Sequence, residues 1–149
     1  MTISRVLPPR LFLLLAVVSG LVGWLVPVRR WTGPPTALVG AVLVLGGLAL
    51  SVAGARAFAR IGTNIKTFDD PTALVTTGLY ARTRNPMYLG FTVALVGEAV
   101  LVGAIAALVG PLGFFLAAQW HYIPFEEGRM RAVFGSAFGD YASRVRRWL

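Results

Sequence analysis

No cysteine occurs in the chain, and histidine occurs once, at His121. The first absence excludes disulfides, thiolate metal sites and a cysteine nucleophile, and the second excludes a multi-histidine metal centre. Charge is scarce too: 13% of the 149 residues are charged, 56% are hydrophobic, and mean hydropathy is positive. A soluble domain of this length has too little interior to hide so much apolar surface, so lipid is the expected solvent. The six acidic residues are outnumbered by fourteen basic ones, for a net charge of +8. In a soluble protein that excess would suggest nucleic acid. In a lipid-embedded chain basic residues flank the spans and meet anionic headgroups, and no nucleic-acid partner is expected.

What the sequence does have is long apolar runs. A helix needs roughly 20 apolar residues to cross the hydrocarbon core, and four stretches qualify, at 11–28, 36–58, 87–102 and 104–123. The fold expected is all-α: one polytopic domain with four transmembrane helices and an amphipathic tail over 124–149. Arg5 and Arg10 precede the first run as in a signal peptide, but Pro27, Val28, Arg29 and Arg30 follow it where small residues would precede a cleavage site. It is therefore expected to be retained as a span. No polar linker separates the last two runs, which makes Gly103 the expected tip of a tight hairpin, with Gly110-Pro111 as the rival turn. The acceptance of Pro111 within a helix would fall to neighbouring helices.

The basic residues sort with this layout. Arg5, Arg10, Arg56, Arg60, Lys66, Arg82, Arg84, Arg129, Arg131, Arg144, Arg146 and Arg147 fall on one side, and only Arg29 and Arg30 on the other. Short cytoplasmic loops are enriched in Lys and Arg, so both termini are expected in the cytoplasm of a cell whose plasma (inner) membrane holds the chain. Small residues recur along the second and third runs, at Gly40, Gly46, Gly47, Ala53, Gly54, Gly90, Gly97 and Gly103. They suit close helix packing in lipid.

Two polar segments stand on the inferred cytoplasmic face. The first, residues 76–90, enters the third run; Pro86 suits a first helical turn and Asn85 the N-cap before it. Arg84 and Asn85 then stand at a positively polarised helix start, suited to an anionic group. An ordinary interfacial cap, with Tyr80 and Tyr88 in an aromatic belt, fits the same pattern. The second segment, Gln119 to Glu127, carries two adjacent carboxylates where a helix leaves lipid, which need water, a cation or a ligand. Screening by Arg129 and Arg131 is the plainer reading. Beyond them Met130, Val133, Phe134, Phe138, Tyr141, Val145 and Trp148 alternate with basic residues, as in an interfacial helix broken near Gly135 and Gly139. Glu98 is the acidic residue inside a span, but nearly 20 Å of helix separates it from Asn85.

At these segments the sequence resembles the isoprenylcysteine carboxyl methyltransferase and phospholipid methyltransferase superfamily of integral membrane enzymes. The shared pattern is matched by Gly78, Tyr80, Arg84, Asn85, Pro86, Tyr88 and Gly90, then a span hairpin, the pair Glu126-Glu127, Phe134-Gly135, Tyr141 and Arg144-Val145. It covers roughly residues 62–148. The resemblance implies an enzyme that takes S-adenosylmethionine from the cytosol and a lipid-like, isoprenoid or other amphiphilic acceptor from the bilayer. By analogy Asn85, Tyr88, Leu89, Gln119, His121, Tyr122, Glu126 and Glu127 would bind the cofactor. Arg84 and Arg144 would lie near the acceptor, with Tyr88 beside them, and Glu127 or Glu126 would take a proton from an amine or hydroxyl acceptor. The eukaryotic pattern has histidine at the place of Asn85, which keeps hydrogen bonding but carries no charge; a small lipid is accordingly the expected acceptor, not a prenylated protein. Two rivals are an NADPH-dependent membrane reductase of the sterol-reductase type, although no G-x-G-x-x-G fingerprint is present, and a non-enzymatic scaffold or transport subunit built around Glu98. A lipid-facing gap between the third and fourth helices is the expected route for the acceptor.

Overall fold

The structure, a computed structural model, describes residues 6–26, 31, 33–62 and 72–149. Arg5, Arg29, Arg30 and Lys66, and the end of the first expected span, lie outside the described residues. Helix α1 runs Pro8–Leu25, α2 Pro34–Ile61, α3 Pro86–Val102, α4 Val109–Ala117, α5 Ile123–Phe134 and α6 Ser136–Arg144. Paired or single prolines open α1, α2 and α3, where the missing N–H has no partner to lose. Three helical stretches, Pro8–Leu25, Pro34–Ile61 and Ile105–Phe134, are long and apolar enough to cross a bilayer. The apolar α3 is shorter, at 17 residues.

Gly103 caps α3 in the left-handed conformation, at φ 68°. Its carbonyl accepts the Trp31 N–H at 2.8 Å, so Trp31, between α1 and α2, sits at the same end of the bundle. Pro111 lies inside α4 and Gly110-Pro111 makes no turn. The run after Gly103 is not one uniform helix: a 3-10 turn over Ile105–Leu108 leads into α4, and a π-helical turn over Ala118–Tyr122 joins α4 to α5. Pro124 supplies the reason, since it cannot donate to the carbonyl of Trp120 and a wider turn before it relieves the clash. The helical rod also continues past 123, so Glu126 and Glu127 lie within α5 and not at a helix end. The tail breaks once, at Gly135 with φ 53°. Gly139 lies inside α6, where Phe138 and Tyr141 are buried, and Val145 and Trp148 come after the helix ends.

Helix α3 occupies the centre, packed against α2 on one side and against α1 and α4 on the others. Small residues make the α2–α3 contact. Gly40, Gly47 and Gly54, seven residues apart, are all buried. A Cβ on Gly47 would stand 2.5 Å from the Gly90 carbonyl oxygen and the Ala94 nitrogen, and one on Gly90 would stand 2.5 Å from the Gly47 oxygen. Backbone thus meets backbone, the geometry that favours small residues in lipid, where apolar side chains gain little by leaving their solvent. Gly46 faces open space instead. On the other side Ser19, fully buried, donates to the Ala107 carbonyl at 2.6 Å and locks α1 to the turn before α4. Tyr88, Leu95, Phe114, Ala118, Tyr122 and Ile123 form the core between α3 and the α4–α5 rod.

Gly47→Val and Gly90→Val are expected to separate α2 from α3 and destabilise the protein by about 2 kcal/mol or more, whereas Gly46→Val leaves stability unchanged. Thermal unfolding of the purified variants in detergent reads the difference.

Candidate active site

The segment before α3 is shaped by a glycine and pinned by the end of the chain. Gly78, at φ 63°, starts a single 3-10 turn over Gly78–Ala81. That turn directs Tyr80 inward, where it is 6% exposed and meets Phe58 edge-on at 5.2 Å. Asn85 stands at the N-cap position of α3, yet its side chain makes no cap. Its amide instead donates to the Arg147 carbonyl at 2.9 Å, and Thr83 Oγ1 donates to the same oxygen at 3.2 Å. The Arg84 N–H donates to the Arg146 carbonyl at 2.9 Å. Residues after α6 therefore run as a strap along 83–85, and Trp148 finishes it by donating from Nε1 to Gln119 Oε1 at 2.8 Å.

Beneath the strap lies Glu127, 6% exposed. Its Oε1 accepts from Arg84 Nη2 at 2.8 Å and Arg147 Nε at 3.2 Å, and its Oε2 from Arg147 Nη2 at 2.7 Å. Exposed Arg131 lies 3.9 Å away. Arg84 Nη1 also donates to the carbonyls of Ala142 and Val145, while its buried Nε has no hydrogen-bond partner. The anion expected at this helix start is thus the protein's own carboxylate. With one negative charge held between two guanidiniums, the cluster keeps a positive excess.

Glu126, the neighbouring carboxylate, accepts from the Tyr88 hydroxyl at 2.7 Å. The Tyr88 ring stacks on Tyr122, with centroids 6.1 Å apart, and the Tyr122 hydroxyl ties the start of α1 by donating to the Val6 carbonyl at 2.7 Å. Tyr141 donates to the Tyr80 carbonyl at 2.7 Å. Burial pushes the Tyr141 hydroxyl up to about 12, with Arg84 acting in the opposite sense. Burial, then the charge of Glu126, moves Tyr80 up further. Both hydroxyls stay protonated near neutrality.

These groups border one cavity of about 480 Å³, within the roughly 300–1,000 Å³ of ligand sites. Its inner wall is apolar, from Leu48, Val52, Phe58, Met87 and Phe91, and its outer end carries Tyr80, Arg84, Asn85, Tyr88, Glu126, Glu127 and Arg129. Ser51, 4% exposed, is a lone hydroxyl on the apolar side. Of the residues singled out from sequence, Arg84, Asn85, Tyr88, Glu126 and Glu127 meet here. Leu89, Gln119, His121 and Tyr122 do not line the cavity: Gln119 is engaged with Trp148, and His121 packs edge-on to Tyr122. Arg144 is exposed and donates to the Asp140 carbonyl of its own helix. Arg147, three residues on, reaches Glu127 because α6 ends at Arg144 and the chain extends from there. Helix α3 packs on α4, and the cavity is bordered by Leu7, Pro8 and Pro9 at the start of α1 and by residues of α2, α3 and α5.

A sequence model of the family described as "Phospholipid methyltransferase" matches residues 35–137. A "Probable protein-S-isoprenylcysteine O-methyltransferase" of Oryza sativa subsp. indica is 33% identical over 84 residues, covering 52% of this chain and 41% of that protein. "Protein-S-isoprenylcysteine O-methyltransferase B" of Arabidopsis thaliana is 38% identical over 77 residues, covering 48% of this chain and 36% of its own length. The match thus spans about two fifths of each of these curated relatives. No solved structure matches the chain.

Removing Glu127 leaves two guanidiniums without their carboxylate, one of them largely buried. Glu127→Ala is expected to cost roughly 3–5 kcal/mol of stability, and Arg144→Ala almost none, as read from unfolding midpoints in detergent.

Proposed function

The chain belongs to the phospholipid methyltransferase family, and from that premise we propose that it transfers a methyl group from S-adenosylmethionine to an amphiphilic, lipid-like acceptor at the membrane interface. The observation that carries this reading is the cavity itself: one compartment joins an apolar wall deep between α1, α2 and α3 to a charged end at Glu126, Glu127 and Arg84. A soluble substrate has no use for the first half, and a pure hydrocarbon has none for the second. In this reading α3 crosses with the other three helices, making four spans, and the charged end and both termini lie in the cytoplasm, a layout the excess of arginines on that side supports.

The donor set fits the cofactor. Glu126 offers a carboxylate, and Tyr80, Phe91 and Tyr141 offer aromatic walls, to a ligand carrying an ammonium, a sulfonium and an adenine ring. When bound, S-adenosylmethionine supplies an activated methyl carbon. Glu126, oriented by the Tyr88 hydroxyl, would hold the cationic end, with Asn85 and Tyr88 completing the contacts. Arg84 and Arg129 would hold a phosphate or carboxylate of the acceptor. The two carboxylates divide the work. Glu127 has both oxygens occupied by guanidiniums, which suits it to fix Arg84, whereas Glu126 is the group to take a proton from an amine or hydroxyl acceptor. A carboxylate acceptor needs no base. Alignment and exclusion of water supply the remaining acceleration. The acceptor's apolar chain would enter between the start of α1 and α2, which border the apolar part of the cavity.

Calorimetry on the full chain in nanodiscs tests the reading. S-adenosylmethionine and its demethylated product should both bind, and Glu126→Gln should weaken them about tenfold or more, the worth of one charge-assisted hydrogen bond. Absence of binding by folded protein would refute the proposal.

A further inference from the structure

A second cavity, of about 370 Å³, lies against the last turns of α2. Arg56 and Arg60, one helical turn apart, stand on its wall with Thr77 and Gly78 of the loop opposite, and Ala53 and Ala57 make its floor. Both arginines are exposed. Neither meets a carboxylate among the described residues. The helix around them is otherwise apolar, so the guanidiniums sit where α2 leaves hydrocarbon, at the depth of lipid headgroups. Val75, 4% exposed, borders both this cavity and the larger one. Leu79 on its wall precedes Tyr80, which borders the larger cavity.

We propose that this cavity binds one anionic phospholipid of the surrounding bilayer, with the phosphate between Arg56 and Arg60 and an acyl chain along Ala53 and Ala57. Paired guanidiniums match a phosphate in geometry as well as charge. The apolar floor selects a phosphate that carries hydrocarbon, since a soluble phosphate ester would leave Ala53 and Ala57 uncovered. A lipid seated here braces the loop of Val75 to Leu79, and through it the wall that presents Tyr80. The site stands independently of methyl transfer.

Native mass spectrometry of the full chain, released from detergent containing either phosphatidylglycerol or phosphatidylcholine, tests it. The wild type should retain one phosphatidylglycerol and no comparable phosphatidylcholine. The double variant Arg56→Gln, Arg60→Gln should retain about tenfold less, while Arg144→Gln, Arg146→Gln, which removes the same charge elsewhere, should retain it fully. Equal retention of both lipids, or equal loss in the two double variants, would reduce the site to general attraction and overturn the proposal. Displacement of the lipid by millimolar glycerol phosphate would also overturn it, by assigning the cavity to a soluble ester.

Discussion

A buried carboxylate between two guanidiniums holds the polar end of this molecule together. Glu127 comes from α5, Arg84 from the residue pair before α3, and Arg147 from the strap after α6. Each segment alone would carry an unneutralised charge at the edge of lipid, which is costly; together they satisfy one another. The carbonyls of Ala142, Val145, Arg146 and Arg147 add hydrogen bonds from Arg84, Thr83 and Asn85, so the strap is fixed along its length. The polar end of the cavity inherits its shape from that arrangement. Tyr80, Tyr88 and Glu126 face the same space because their parent segments are tied to one ion cluster.

The remainder of the fold delivers those segments to each other. Lipid offers little hydrophobic drive for helix association, so α2 and α3 meet through glycines whose backbones touch, and α1 is pinned by a serine hydroxyl. The π-helical turn before Pro124 changes the register of α5 relative to α4. Tyr122 then stacks on Tyr88 while Glu126 and Glu127 face the start of α3. A regular α-helix through Ala118–Tyr122 would turn the two carboxylates by a residue's rotation and part Glu127 from Arg84 and Glu126 from Tyr88.

Much of this was legible in the residues. Gly103 as the end of α3, Pro86 as its first turn, and the close packing at glycines 40, 47, 90 and 97 followed from local chemistry that tertiary contacts did not override. Arg84, Asn85, Tyr88, Glu126 and Glu127 were found by their motif, and the structure brings them to one cavity. The rest depends on contacts distant in sequence. That Arg147 faces Glu127 depends on where α6 stops, and Asn85 keeps its N-cap position while its amide turns to a carbonyl 62 residues away in sequence, which no local pattern reveals. The π turn likewise answers to Pro124 in a helix whose apolar content looks uniform.

The most direct test of the account is transfer itself. Full-length protein in nanodiscs, incubated with methyl-labelled S-adenosylmethionine and a total lipid extract, should place label in the organic phase. Arg84→Ala and Glu126→Gln should lose most of it while Arg144→Ala retains it. Label in the organic phase no greater than with heat-inactivated protein, or undiminished in both site variants, would contradict the account.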